Sequence, residues 1–552
     1  MESTQKQSLF DKPILKTRIS SANVKFKEML FGYLIGPFGG LLLSGILGAQ
    51  ISTYWKYVLF ANELADSTTQ IYQTITTFMT LLPLLSAILI VAGNLIVGQL
   101  IERTKTKAGK ARPWLLLSSI LLGVSCVLMF IAPADGNPIL KMVLQAISYN
   151  VYYAVAYPMY NTSNSTLIPV STRNSKQRGM LASITNIAGL GVMGVGSMIF
   201  PILIDLVIKY DSIAWMISFI AVGIFSFLVV VLQYYYTRER VTEESLNLTD
   251  EKEGSPSIKD QLKAVTHDKF WWIVIIFYLI FQFSGALKNA SMYDYCNVIF
   301  SSLIGAGTMQ SILGIVGALP MAIAIVIIWP LANKFNKKIV VLGGVAIGVV
   351  GGIIAGVTVN PIVVGIGIAL KCFGSAPACY MILAMIADML DHIEAKKGIR
   401  CDGFTMSIYS AIMIAATPVC VGIFNGLMGA AGFISGEGVV QPEAVSTVVK
   451  VSYIWVETIA YAVCTILIAF FGVEKHLKED HDLIRERQKA EAEAKGIEWI
   501  EPEVRLKQEE EEAERISELA RIEELKAKCA KKGLDFETEE AKYQAKKNKN
   551  KK

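Results

Sequence analysis

The amino-acid sequence predicts an all-α membrane protein: twelve transmembrane helices in two six-helix halves, followed by a charged helical C-terminal tail. Three observations carry this expectation. Hydrophobic residues make up 53% of the 552 positions against 18% charged, and most of the charge lies in the N-terminal tail, a few short loops and the segment after Phe471. Between them run charge-free apolar stretches such as 31–51, 213–232, 312–328 and 340–357, close to the about 20 residues a helix needs to cross the hydrocarbon core. They are too continuous for barrel strands, which alternate over about ten residues, and helices satisfy their own backbone in lipid. Third, the runs fall as six, a polar linker, and six again, the pattern of an internal repeat.

In chain order, residues 1–29 carry charge without an apolar core and read as a cytosolic tail, not a signal peptide. Spans follow at 30–57, 72–101, 113–133, 139–168, 179–207 and 212–236, forming an N-terminal half over 30–236. A charged linker occupies 237–269. Six further spans at 270–298, 306–331, 338–358, 361–391, 404–433 and 449–472 form the second half, 270–472. With both termini cytoplasmic, inner loops hold Arg103, Lys105, Lys107, Lys110 and Arg112, then Arg173, Lys176 and Arg178, then Lys334, Lys337 and Lys338, then Lys396, Lys397 and Arg400. The outer connections hold only Lys56, Lys141, Lys209 and Lys450. That asymmetry obeys the positive-inside rule for a multi-pass protein of the cell membrane. The tail, 473–552, reads as two Glu/Lys/Ala-rich helices ended by Gly496 and Gly533. Its thin stripe of Ile516, Leu519, Ile522 and Leu525 suits either a solvated helix or a docking element for a cytosolic partner.

Composition excludes several classes. The net charge of +5 follows from topology and implies no nucleic acid. Eight scattered cysteines without a C-x-x-C pair, and four histidines without ligand spacing, imply no disulfide framework, metal centre or cofactor. No nucleophile–base set suggests an enzyme. The expected partners are a small-molecule solute and the lipid bilayer.

Polar residues inside spans are the candidate site. Asn161, Asn164 and Ser165 share one face of the fourth span by i, i+3, i+4 spacing. Neutral amides and hydroxyls suit an uncharged hydroxylated solute, or hydrogen bonds between helices. Lys371 lies well inside the tenth span, where a lysine is costly. It binds a solute carboxylate, stands in for a coupling cation, or pairs with a buried acid. Lys288 and Asn289 in the seventh span line the cavity or lie near its outer mouth, Asp294 is closer to the exterior, and Tyr293 stacks on a ring or anchors at the interface. At the loops, Gly98 permits close helix approach, and Glu102, Arg103 and Arg112 can form a charge network that latches one conformation of a rocking bundle. Asp388, Asp391 and Arg400 mark a second gate at the inner end of the tenth span.

Two loop motifs resemble a known family. Gly98, Glu102, Arg103, Gly109, Arg112, Pro113 and Trp114 spell G-x-x-x-[DE]-R-T-x-T-x-x-G-x-x-R-P-W. Asp388, Asp391, Glu394, Lys396, Gly398, Arg400 and Gly403 fall in A-D-x-x-D-x-x-E-x-K-x-G-x-R-x-[DE]-G. With Leu167-Ile168-Pro169, these are similar to the signatures of the glycoside–pentoside–hexuronide:cation symporters, the melibiose-carrier-like branch of the major facilitator superfamily. The resemblance covers 30–472 and implies a secondary transporter of a sugar, glycoside or hexuronide, working by alternating access with sodium or proton coupling. It also places Asn94, Asn161, Ser165 and Asn186 at pocket positions. There the sequence departs from the family: its sodium-binding carboxylates correspond to Ile90, Asn94 and Asn161, its aromatic platform to Ser165, its first-span Asp to Leu41 and its fifth-span Arg to Asn186. The departures leave open a uniporter or exchanger, a carrier of an amphipathic solute such as a steroid, and a transporter-derived membrane sensor.

Overall fold

The computed structural model describes residues 15–104, 106, 108–172, 174–241, 258–399, 401–436, 439–494, 496 and 499–549. Among them the structure is helical throughout, without strands. Every expected span falls on a helix. They are α1 (Phe26–Leu59), α2 (Gln70–Arg103), α3 (Arg112–Phe130), α4 (138–171), α5 (175–208), α6 (Ser212–Tyr235), α7 (Lys269–Phe300), α8 (Ala306–Phe335), α9 (Lys337–Gly356), α10 (Pro361–Lys397), α11 (Asp402–Ala430) and α12 (443–469). Ten are long and apolar enough to cross a membrane. The other two, α4 and α5, carry more polar side chains, among them Gln145, Ser148, Asn150, Asn161 and Asn164 on α4.

Starts follow capping chemistry. Thr69, Asn137, Asp211, Asp268 and Asn360 each accept a backbone N–H from the first turn of the helix they precede. α12 begins at Glu443, directly after Pro442, earlier than the apolar run alone suggests. α10 ends on Gly398 at φ +71°, a left-handed conformation that glycine adopts without steric cost. Short π-helical segments occur in α1 and α5 (two each), α4 and α12, the last at Val451–Trp455; such segments displace carbonyls from the regular ladder.

Six helices pack into each half. The N-terminal half has one apolar core, from Tyr33 to Tyr234. The C-terminal half has two, one stacked toward the end of the bundle that bears the chain termini (Phe277, Val345, Met381, Cys464), the other toward the opposite end (Leu287, Ile368, Phe424, Ile454). We call these ends the terminal face and the far face. The break between the two cores occurs at one level on α7, α9, α10 and α12.

The tail folds against the terminal face as α13 (Leu477–Ala494), α14 (Pro502–Lys532) and α15 (Phe536–Lys549). Asp480 on α13 contacts the buried His392 ring at 2.6 Å, and Arg487 donates to the last carbonyls of α10, Glu394 (2.8 Å) and Ala395 (2.9 Å), a cation where the helix dipole favours one. α14 reaches the other half: Asn23 and Ser517 exchange two hydrogen bonds of 2.9 and 2.7 Å, and Glu524 accepts from Ala22 N–H and pairs with Lys25. Of the thin apolar stripe, Ile516 and Leu519 are exposed and Ile522 and Leu525 half-buried; the contacts from α13 and α14 named above are polar.

Burial alone would raise the Glu524 carboxyl, but Lys25 and the Ala22 N–H hold it below its ordinary value of 4.5. A depressed acid contributes docking stability above that ordinary value and loses it as pH falls through the docked value. Amide hydrogen exchange over 517–526 is therefore expected to speed up as pH drops below 4.5, once corrected for intrinsic rates, and Glu524→Gln to show fast exchange at neutral pH.

Candidate functional site

The break in the C-terminal core is where the chain buries opposed charges. Lys371 on α10 and Glu457 on α12 are 1% and 2% exposed and pair at 2.6 Å, and Lys288 on α7 reaches the same carboxylate at 3.2 Å. The Tyr461 hydroxyl, one turn along α12, donates to Glu457 Oε1 at 3.0 Å. Lys371 also donates to the Tyr453 carbonyl at 3.4 Å, within the π-helical segment of α12, and lies 5.7 Å from that ring. Unpaired charges at this depth would be prohibitive, so pairing is what makes the residues tolerable.

The backbone allows this convergence because α9 is rich in glycine. A Cβ on Gly351 would lie 2.5 Å from the Lys371 backbone nitrogen, and one on Gly352 would lie 2.0 Å from the Thr458 hydroxyl. Any larger residue would wedge α10 or α12 away. Lys288 differs from its partners, with its side chain 22% exposed. Beside it Asn289 is exposed, and a Cβ on Gly285 would meet open space. Lys288 is thus the most exposed member of the triad.

A second buried pair joins the halves. Lys56 on α1 and Asp294 on α7, each 1% exposed, form an ion pair near the far face. Tyr57 donates to Asp294 at 2.9 Å and accepts from Asn297 at 2.9 Å, while the Lys56 ammonium lies over Phe424 at 4.8 Å. Around it, Ser52 donates to Asn425 (2.6 Å), Gln50 to Gln310 (3.2 Å), and Tyr210 meets Tyr293 (2.9 Å). Asp205 of α5 caps α8 through the N–H groups of Gly307 and Thr308. Outside this closure lies a cleft of about 690 Å³ bounded by Asp205, Tyr210, Asn297 and Gln441.

Other expected residues fall in distinct places. Asn164 is buried and accepts from Gln233 (2.8 Å), which in turn accepts from Tyr160 (3.0 Å), so it ties α4 to α6. Asn161 is half-buried, and Ser165 and Asn186 are exposed. Asn94 donates to the Ile90 carbonyl of its own helix at 3.1 Å. A Cβ on Gly98 would meet open space, so close helix approach there is not what the glycine serves. Glu102 and Arg103 are exposed. Arg112 is buried, donating to the carbonyls of Tyr234 (2.9 Å) and Ala108 (3.0 Å), while Glu239 accepts the N–H groups of Lys110, Ala111 and Arg112. Asp388 holds Lys337 through both oxygens at 2.7 and 2.8 Å, and Asp391 faces His481 of the tail at 3.3 Å. Arg400 lies outside the described residues.

Glu457 is absent from the residues the sequence singles out, although an acid in the run IWVETIAYAV carries the same signal that marks Lys371. Lys56 and Glu239 were likewise hidden, the first by its place at a predicted span edge, the second by its place in the linker.

Comparison with known proteins agrees with this architecture. The model of the MFS/sugar transport protein family matches residues 32–475. The isoprimeverose transporter of Lactiplantibacillus pentosus is 24% identical over 386 residues, covering 68% of this chain and 77% of its own. A glucuronide carrier protein homologue of Escherichia coli is 22% identical over 368 residues, 64% of this chain and 75% of its own. Among solved structures, a bacterial homologue of the human lysosomal transporter Spinster, inward-facing and unoccupied, superposes with a TM-score of 0.57 at 12% identity, over 83% of this chain and 99% of that one. The chain belongs to the MFS/sugar transport protein family, in keeping with the glycoside–pentoside–hexuronide symporter signatures of its loops.

Proposed function

We propose that this transporter carries an anionic glycoside of the hexuronide type across the cell membrane by alternating access, with Lys288 anchoring the solute's carboxylate. The observation that carries the reading is the charge of the buried site: two lysines share one carboxylate, and the less buried lysine of the two is the one placed beside open space. A buried excess of one positive charge is costly, and an arriving carboxylate relieves it. The positive loops support a cytoplasmic terminal face. The far face, closed by Lys56–Asp294 and its surroundings, is then the extracellular gate, and the solute path opens on the cytoplasmic side. Relatives named for isoprimeverose and glucuronide transport support a glycosidic cargo.

Titration calorimetry of the purified chain tests this. Methyl β-D-glucuronide is expected to bind more tightly than methyl β-D-glucoside, and Lys288→Ala to weaken the glucuronide by about 10- to 100-fold, the worth of one charge-assisted hydrogen bond. Equal affinity for the two glycosides would point to a neutral sugar instead.

A further inference from the structure

α7 carries polar side chains that the charged triad does not use. Gln282, Gly285, Asn289 and Tyr293 follow one another at i, i+3, i+7 and i+11 and so share one face of the helix. Tyr293 fixes where that face points. Its hydroxyl meets that of Tyr210, between α5 and α6, at 2.9 Å, so the face is turned toward the N-terminal half. The halves touch at the level of Tyr293, and from there toward the terminal face the same face opens. Asn289 is exposed, a Cβ on Gly285 would meet nothing within 4 Å, and Gln282 is half-buried. Among the described residues, neither the Gln282 nor the Asn289 amide has a hydrogen-bond partner. By contrast, Ser284 and Ser291 donate to the carbonyls of Phe281 (3.0 Å) and Leu287 (2.9 Å), and Asn297 donates to Tyr57. Unpaired amides turned toward hydrocarbon would be costly; polar side chains of a span face the bundle interior or a watery cavity. Both amides therefore border the solute path.

Their spacing sets a length. At about 1.5 Å per residue, Gln282 lies about 10 Å from Asn289 along the helix, more than one sugar ring spans and close to the length of two linked rings. Gly285 lies between them and leaves room that any side chain would fill. The stripe ends one turn beyond Gln282 at Tyr278, which is buried and stacked on Tyr409 with ring centroids 4.3 Å apart. We propose that Asn289 and Gln282 bind the hydroxyls of a two-ring acidic glycoside, its uronate ring at Lys288 and Asn289 and its second, neutral ring lying along Gly285 to Gln282. This rests on Lys288 as the anchor of the carboxylate. Lys288 and Asn289 project about 100° apart around the helix, so a ring bonded to Asn289 turns its carboxylate aside toward Lys288. An amide offers two donors and an acceptor, which matches hydroxyl groups and adds no charge to the site. The uronate ring then sits on the side of the closed far face, and the neutral ring trails toward the terminal face. A one-ring glucuronide satisfies Lys288 and Asn289 and leaves Gln282 without a partner.

The experiment is titration calorimetry of the purified full chain with two probes: methyl β-D-glucuronide and an aldobiouronic acid in which glucuronate is linked to galactose. Wild type is expected to bind the two-ring acid about 3- to 10-fold more tightly, the worth of a neutral hydrogen bond. Gln282→Met keeps the length of the side chain without its hydrogen bonds and is expected to shrink that preference to within about 2-fold. Asn289→Met is expected to weaken both probes. Gly285→Leu fills the space between the amides without removing either and is expected to abolish the preference as well; thermal unfolding checks that each variant is folded. Wild-type affinities that do not differ, or a preference that survives both Gln282→Met and Gly285→Leu, overturn the proposal and leave Lys288 as the anchor. Binding of neither probe, or methyl β-D-glucoside bound as tightly as methyl β-D-glucuronide, overturns the anchor and the proposal with it.

Discussion

Glu457→Ala is expected to abolish uptake and to destabilise the folded protein by about 3–5 kcal/mol, the cost of leaving partners of a buried ion pair uncompensated. The effect is large because the site has no reserve. Lys371 is 1% exposed and its nearest other acceptor is the Tyr453 carbonyl at 3.4 Å, so water cannot replace the carboxylate. The Tyr461 hydroxyl loses its acceptor in the same step. Thermal unfolding in detergent reads the stability and vesicle uptake the activity. The double variant Glu457→Met/Lys371→Met separates the two roles: apolar groups of similar volume often replace a buried pair at little cost, so stability should return while transport does not. A Glu457→Ala protein as stable as wild type would mean that the two lysines are not held charged by this carboxylate.

The second large effect is expected at the far face. Asp294→Ala leaves the Lys56 ammonium buried on Phe424 and Phe433 without its counter-ion, and it removes the acceptor of Tyr57. This penalty falls only on the conformer in which α1 and α7 meet. A loss of about 3 kcal/mol shifts a two-state equilibrium on the order of 100-fold toward the far-face-open form. Cys296 reports the shift. It is fully buried on α7, in the field of both Asp205 and Asp294, and should be inert to a membrane-impermeant maleimide in wild type. Peptide mapping should show it labelled about 10- to 100-fold faster in Asp294→Ala. Unchanged labelling would mean that the closure does not depend on the ion pair.

The helices were legible in the sequence because their signal is one-dimensional. Length, apolarity and punctuating charge suffice to locate a span. Positions read from one helix at a time fared differently. Asn161, Asn164 and Ser165 share a face by spacing, yet the neighbouring α6 buries Asn164 through Gln233 and leaves Ser165 exposed. Lys371 was conspicuous because an intramembrane charge is rare, but its partner lies 86 positions away on another helix, and no local pattern pairs 371 with 457. The rule that marks the lysine marks the acid too. Its role, shared between two lysines, is a property of three helices meeting over the glycines of α9. Lys56 illustrates the opposite difficulty: at the edge of an apolar run a lysine reads as a loop residue, whereas here the helix continues to Leu59 and buries it.

The most direct test of the account is counterflow in proteoliposomes at equal pH, comparing radiolabelled methyl β-D-glucuronide and methyl β-D-glucoside in wild type and Lys288→Ala. The account predicts saturable, trans-stimulated entry that favours the glucuronide, with that preference lost when Lys288 is replaced. Entry no faster than into protein-free vesicles, or a glucuronide preference that survives Lys288→Ala, would contradict it.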